Sequence, residues 1–123
     1  MITGKVNADL EARINLQIKS STGTGPVVSA VIDTGFTGFL ALPIAVLSAL
    51  NAPWLYYQEG ILADGSTQVF DVHEVTIVWD GQPRTIEVEA IDAEPLAGMA
   101  LLEHHEVHLA VVSGGEVRIE ACT

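Results

Sequence analysis

Val27-Val28-Ser29-Ala30-Val31-Ile32-Asp33-Thr34-Gly35-Phe36-Thr37-Gly38-Phe39-Leu40-Ala41-Leu42 is the stretch that decides the fold. Val27 to Ile32 is an apolar run rich in β-branched residues, which reads as a buried strand. The strand stops abruptly at Asp33-Thr34-Gly35, and after a second glycine, Gly38, a short strand Phe39–Leu42 follows. Pro43 then opens a helix from Ile44 to about Leu50, because the missing proline N–H would have no partner in the first turn anyway. A carboxylate at the end of a buried strand is costly unless it is hydrogen-bonded or shares a proton. Thr34 brings a hydroxyl, and Gly35 lets a backbone N–H come close. From the triplet alone two readings stand: Asp33 caps its own loop as an Asx-turn, or it is a reactive acid.

Outward from this loop the chain reads as strands and hairpins. In residues 12–20, Ile14, Leu16 and Ile18 alternate with Arg13, Asn15, Gln17 and Lys19, the pattern of a half-buried antiparallel strand with 2–7 as its short partner. Ser20 to Pro26 reads as a turn, punctuated by Gly23, Gly25 and Pro26. Asp64-Gly65 marks a hairpin between Gly60–Ala63 and Thr67–Phe70, whose second arm runs on through Val72, Val75, Ile77 and Trp79. Asp80-Gly81 marks another hairpin, and Arg84 to Ile91 alternates again. Leu96-Ala97-Gly98 leads into a short apolar helix from Met99 to about His104, and a last hairpin joins Val107–Val112 to Glu116–Glu120. Both halves thus run from a hairpin through an apolar approach to a short helix, and only the first carries an acid at the turn. The pattern predicts one all-β domain over residues 1–123 with one or two short helices.

Composition narrows the function. Hydrophobic residues make up 49% of the chain and charged residues 17%, enough to bury a core. A single domain of 123 residues leaves little room for a deep private active site, so the size raises the question of whether a second subunit completes one. Five Lys and Arg against sixteen Asp and Glu give a formal charge of −11, which argues against nucleic acid and against anionic membrane surfaces. The uncharged stretch Thr34–Gln58 is broken by Gly35, Gly38, Pro43, Asn51 and Pro53, so it is not expected to span a bilayer. The N-terminus does not read as a signal peptide. Cys122 stands alone, which precludes an internal disulfide and suits a reducing, cytoplasmic compartment.

The segment Val31 to Leu40 resembles the active-site loop of retropepsin-like aspartic proteases, and is most like a group of small clan AA aspartic proteases of bacteria and archaea. The similarity covers nearly the whole chain. Leu62-Ala63-Asp64-Gly65-Ser66 lies where that family has its flap tip, and Leu96-Ala97-Gly98-Met99-Ala100-Leu101-Leu102 resembles its second-half glycine segment and following helix. The resemblance implies a retropepsin-like acid protease barrel, a two-fold symmetric homodimer, and aspartic endopeptidase activity on a peptide or protein substrate without metal or other cofactor. Asp33 would be the catalytic acid, Thr34, Gly35 and Phe36 the rest of the active-site loop, Leu62, Ala63, Asp64 and Gly65 the substrate-covering flap, and Leu96 and Gly98 structural. Two Asp33 carboxylates would share a proton and activate a water between them. The family's ionic brace between loop and helix is absent, with Phe36, Thr37 and Met99 near its place and apolar packing in its stead. The alternative is a non-catalytic β-domain of the same fold that binds peptides or assembles with partners.

Other residues read as structure. His104, His105 and His108 suggest a metal: on a strand His105 and His108 face opposite sides, whereas a helix reaching that far would bring them to one face, and solvated surface is the expected reading. Asp64 reads first as a turn residue. Trp54, Tyr56 and Tyr57 either line a pocket or pack under a loop. Trp79 belongs to its hairpin, and Cys122 has no base beside it and is expected to be inert.

Overall fold

The computed structural model describes all of residues 1–123. Ten strands and two short helices follow in the order β1 (Ile2–Val6), β2 (Ala12–Ser20), β3 (Gly23–Ile32), β4 (Leu40–Pro43), α1 (Ile44–Leu50), β5 (Trp54–Ile61), β6 (Thr67–Trp79), β7 (Gln82–Ile91), β8 (Leu96–Ala97), α2 (Met99–Leu102), β9 (His105–Leu109) and β10 (Glu116–Ala121). The chain is therefore mostly β-sheet, as its alternating pattern predicts. Neither helix is long and apolar enough to cross a membrane.

The strands join in the order β5-β6-β7-β4-β8-β3-β2-β1-β10-β9, and a further pairing of β2 with β6 links β2, β3, β8, β4, β7 and β6 into a closed ring of pairings. Ring closure leaves those six strands without a free edge, so only β5 and β9 end the sheet. Inside sit the apolar alternates of each strand, Ile14, Leu16 and Ile18 from β2, Val28 and Ala30 from β3, Leu40 and Leu42 from β4, Val75 and Ile77 from β6, and Ile86 and Val88 from β7. No polar or charged residue is fully buried.

The similar layout of the two halves becomes a topological repeat. The unit β2-β3-β4-α1 matches β6-β7-β8-α2. β3 pairs in parallel with β8, and β7 pairs in parallel with β4. β4 and β8 lie antiparallel to each other, as do β2 and β6. Each half therefore lends its last strand to the other half's sheet, and neither can complete its pairing alone. Setting the buried Val28 and Ala30 of β3 on the buried Ile86 and Val88 of β7 puts Ile91 in the place of Asp33. The chain has one acid at this position, not two.

Several boundaries differ from the expected ones. β3 starts at Gly23, so the turn shrinks and Pro26 lies within the strand; the β2 register slips between Gln17 and Lys19, and the Gln17 side chain donates to the Gly25 carbonyl at 2.7 Å. α2 ends at Leu102, because Glu103 turns extended and His104 takes a left-handed φ of 67° before β9 begins. β5 reaches back to Trp54, a strand that its almost wholly exposed residues conceal from any alternation rule. β9 stops at Leu109, and the Gly114 N–H turns away to the Val6 carbonyl at 2.8 Å.

Candidate active site

Asp33 follows directly on β3 and is half-buried, while Thr34 and Gly35 beside it are exposed. Its own N–H donates to the Ala97 carbonyl at 2.9 Å, continuing the β3–β8 ladder by one residue. Its carbonyl accepts from the Phe36 N–H at 3.2 Å, and its Oδ1 accepts from the Gly35 N–H at 2.9 Å. The last bond is the Asx-turn that the triplet allows. It orients the carboxylate with one oxygen bonded, and no cation pairs with it.

The loop and the glycine segment interlock. The Gly98 N–H donates to Phe39 at 2.9 Å, Met99 to Phe36 at 2.8 Å and Ala100 to Gly38 at 3.1 Å. The free N–H groups at the start of α2 are thus capped by carbonyls of the Asp33 loop. Gly98 is buried, and a Cβ there would overlap the Gly38 carbonyl and stand 2.7 Å from the Phe36 ring. A Cβ at Gly38 would stand 2.6 Å from the same ring. Phe36 therefore fills the space that two glycines leave, which is the apolar packing expected in place of an ionic brace. Leu96 lies opposite Val31 in the β3–β8 ladder, Ala97 bonds Asp33, and Gly98 packs against Phe36 and Gly38 of the same loop.

Arg84 is a site residue that the sequence reading missed. From β7 its guanidinium lies 5.6 Å from the centre of the Phe39 ring and donates to the Leu101 carbonyl at 3.1 Å. One cation so ties the loop to α2 through a ring face and a helix carbonyl. Its alternation with Ile86 and Val88 was the available signal.

The hairpin tip Leu62–Gly65 projects from β5 and β6 with every residue exposed. Asp64 Oδ1 accepts from both the Ser66 hydroxyl at 2.5 Å and the Ser66 N–H at 2.9 Å, and these bonds hold its carboxyl below the usual range. Asp64 is a turn residue, as its first reading has it. No hydrogen bond joins the tip to the Asp33 loop; a cavity of about 170 Å³ lies between the loop's Thr37–Phe39 and the hairpin arms further down, and no tip residue lines it. Thr37, Gly38 and Phe39 form one side of it, Tyr56 and Gln58 of β5 another, and Glu87 and Glu89 of β7 a third. A larger hollow of about 390 Å³ near Ser20, Asn51 and Glu74 shares no residue with the Asp33 loop.

The aromatic and histidine groups divide. Trp54 meets Tyr57 edge to face at 5.0 Å and donates to Asp71 at 3.0 Å, on the outer hairpin arm. Tyr56 lines the cavity and donates to Glu87 at 2.7 Å, which raises the phenol above its usual range. His105 turns toward Trp79, from which its Nε2 accepts at 3.3 Å, and its Nδ1 meets the Glu103 carbonyl at 2.8 Å. His108 points the other way, with donor atoms of Glu106 and Glu120 within 4.8 Å on exposed sheet. Arg118 already reaches Glu120 on that face, at 3.5 Å.

No family model, curated protein or solved structure matches this chain.

Proposed function

We propose that the chain is an aspartic endopeptidase of the retropepsin-like kind, a cytoplasmic homodimer in which each subunit supplies one Asp33. The observation that carries this is the position of Asp33: a half-buried acid at a strand end, held by a loop that the second half of the chain locks in place. The internal repeat supports the dimer, because the equivalent position in the other half is Ile91 and cannot supply the second acid.

In this reading two Asp33 carboxylates stand across a two-fold axis, too close for both to ionise, and hold one proton between them. The ionised member takes a proton from a bound water, which attacks the peptide carbonyl. The protonated member polarises that carbonyl, and a proton passes to the leaving amine as the C–N bond breaks. The pair titrates as a unit, so the two copies have no fixed roles. Thr34, which is exposed, would bond across the axis, and Gly35 would leave room for the substrate backbone. The exposed hairpin would close over an extended peptide and add it as a strand.

Asp33→Asn tests the reading, with loss of about 10³-fold or more in peptide cleavage expected and an unchanged melting temperature. Undiminished cleavage by the variant would sink it. A second reading draws on the Asx-turn: Asp33 bonded to Gly35 could serve only its loop, in a domain that binds peptides without cutting them. That reading predicts peptide binding with no cleavage by the parent protein at any pH.

A further inference from the structure

We propose that the cavity between the Asp33 loop, β5 and β7 is the subsite that selects a lysine or arginine side chain of the substrate, with Glu89 and Glu87 as its charged wall. The inference rests on the peptidase reading and names its substrate class. Position comes first. The cavity begins at Thr37, in the same loop as Asp33, and ends at Tyr56 and Gln58 on the hairpin arm. A peptide lying extended beneath that hairpin presents every second side chain to this wall.

Size and lining come next. A volume of about 170 Å³ is well below the roughly 300 Å³ at which ligand pockets begin, and suits a single side chain. Phe39, Val72 and Ala100 give it an apolar surface against which the methylenes of a long cationic side chain can lie. Its charged groups are both carboxylates, and the Thr37 hydroxyl and the Gln58 amide can each accept as well as donate. Glu87 and Glu89 are two residues apart on β7 and share a face, and Tyr56 fixes Glu87 by its hydroxyl at 2.7 Å.

Neither carboxylate has a cation of its own, since the chain's ion pairs engage Met1, Arg13, His104 and Arg118. Arg84, on the same strand, is committed to the rings of Phe39 and Trp79 and to the Leu101 carbonyl. Two acids held without a counterion in a concave site beside the reactive loop favour a cation brought by the substrate, which would make charge-assisted bonds there.

The test uses the Asp33→Asn protein, which the peptidase reading expects to bind without cutting. A single lysine is walked along a neutral peptide, and each peptide is titrated beside its norleucine twin. At one position lysine should bind about 10- to 100-fold tighter, the gain of a charge-assisted bond. Adding Glu87→Gln and Glu89→Gln should remove that preference, whereas Glu103→Gln with Glu106→Gln, outside the cavity, should keep it. Adding Glu89→Lys instead should turn the preference toward a glutamate peptide. Equal binding of the twins, binding of neither, or a preference that survives the cavity substitutions overturns the proposal. Parallel assays with unmodified Asp33 keep the two claims apart: selective binding without cleavage supports the subsite while refuting the peptidase.

Discussion

Asp33 is held through its N–H by Ala97, through its carbonyl by Phe36 and through its carboxylate by Gly35. Such a residue cannot drift, and the group that locks it is Gly98, whose missing Cβ is what lets the two segments touch. Gly98→Ala should therefore cost about 1–3 kcal/mol by overpacking, measured by denaturant unfolding, and lower cleavage further by displacing the loop. An alanine variant as stable as the parent would refute the interlock. Glu89 gives a second residue-scale prediction, on stability. Burial raises its carboxyl above the usual range, so the folded chain holds that proton more firmly than the unfolded one. The stability it contributes is present at low pH and is lost as pH rises through the raised value. Glu89→Gln should lift the melting temperature at pH 7, with the gain fading below the carboxylate range. A lower melting temperature at pH 7 would contradict it. Asp33, Thr34, Gly35 and Gly98 were singled out in the sequence by the family resemblance, while the triplet alone allowed the Asx-turn that the Gly35 bond forms. Arg84 and Glu89 were not, because their roles depend on which strands become neighbours.

At the scale of elements, legibility followed burial. β2 and β7 announce themselves by alternation, since one face of each meets the core. β5 does not, because it is an edge strand with almost no buried residue, and its partner β6 rather than its own pattern makes it a strand. The swap of β4 and β8 between the halves was also illegible: parallel pairing of short strands leaves no local mark. The hairpin β5–β6 is the element whose motion the proposed mechanism needs, and it turns at Gly65 with φ of 84°. Gly65→Ala meets no neighbour there but strains the backbone. It should raise KM for peptides several-fold while lowering stability by about 1 kcal/mol or less, since the tip contacts no core residue. Unchanged kinetics would argue that the hairpin does not cover the substrate.

For the whole molecule the charge of −11 and the single Asp33 pull in opposite directions. Two chains bring 2 × (−11) = −22 together, while the proposed chemistry requires that they meet. Dimerisation should therefore tighten with added salt and with falling pH, which sedimentation at graded concentration measures; a dissociation constant flat across both titrations counts against this account. The central claim is that one active site contains two copies of Asp33. Its most direct test is activity in mixtures of parent and Asp33→Asn subunits at fixed total concentration, after exchange to equilibrium. If one acid alone cannot catalyse, activity follows the square of the parent fraction, and an equal mixture retains about a quarter of the activity. A linear fall, with about half retained, would show that each subunit works with its own Asp33 alone and would contradict the account.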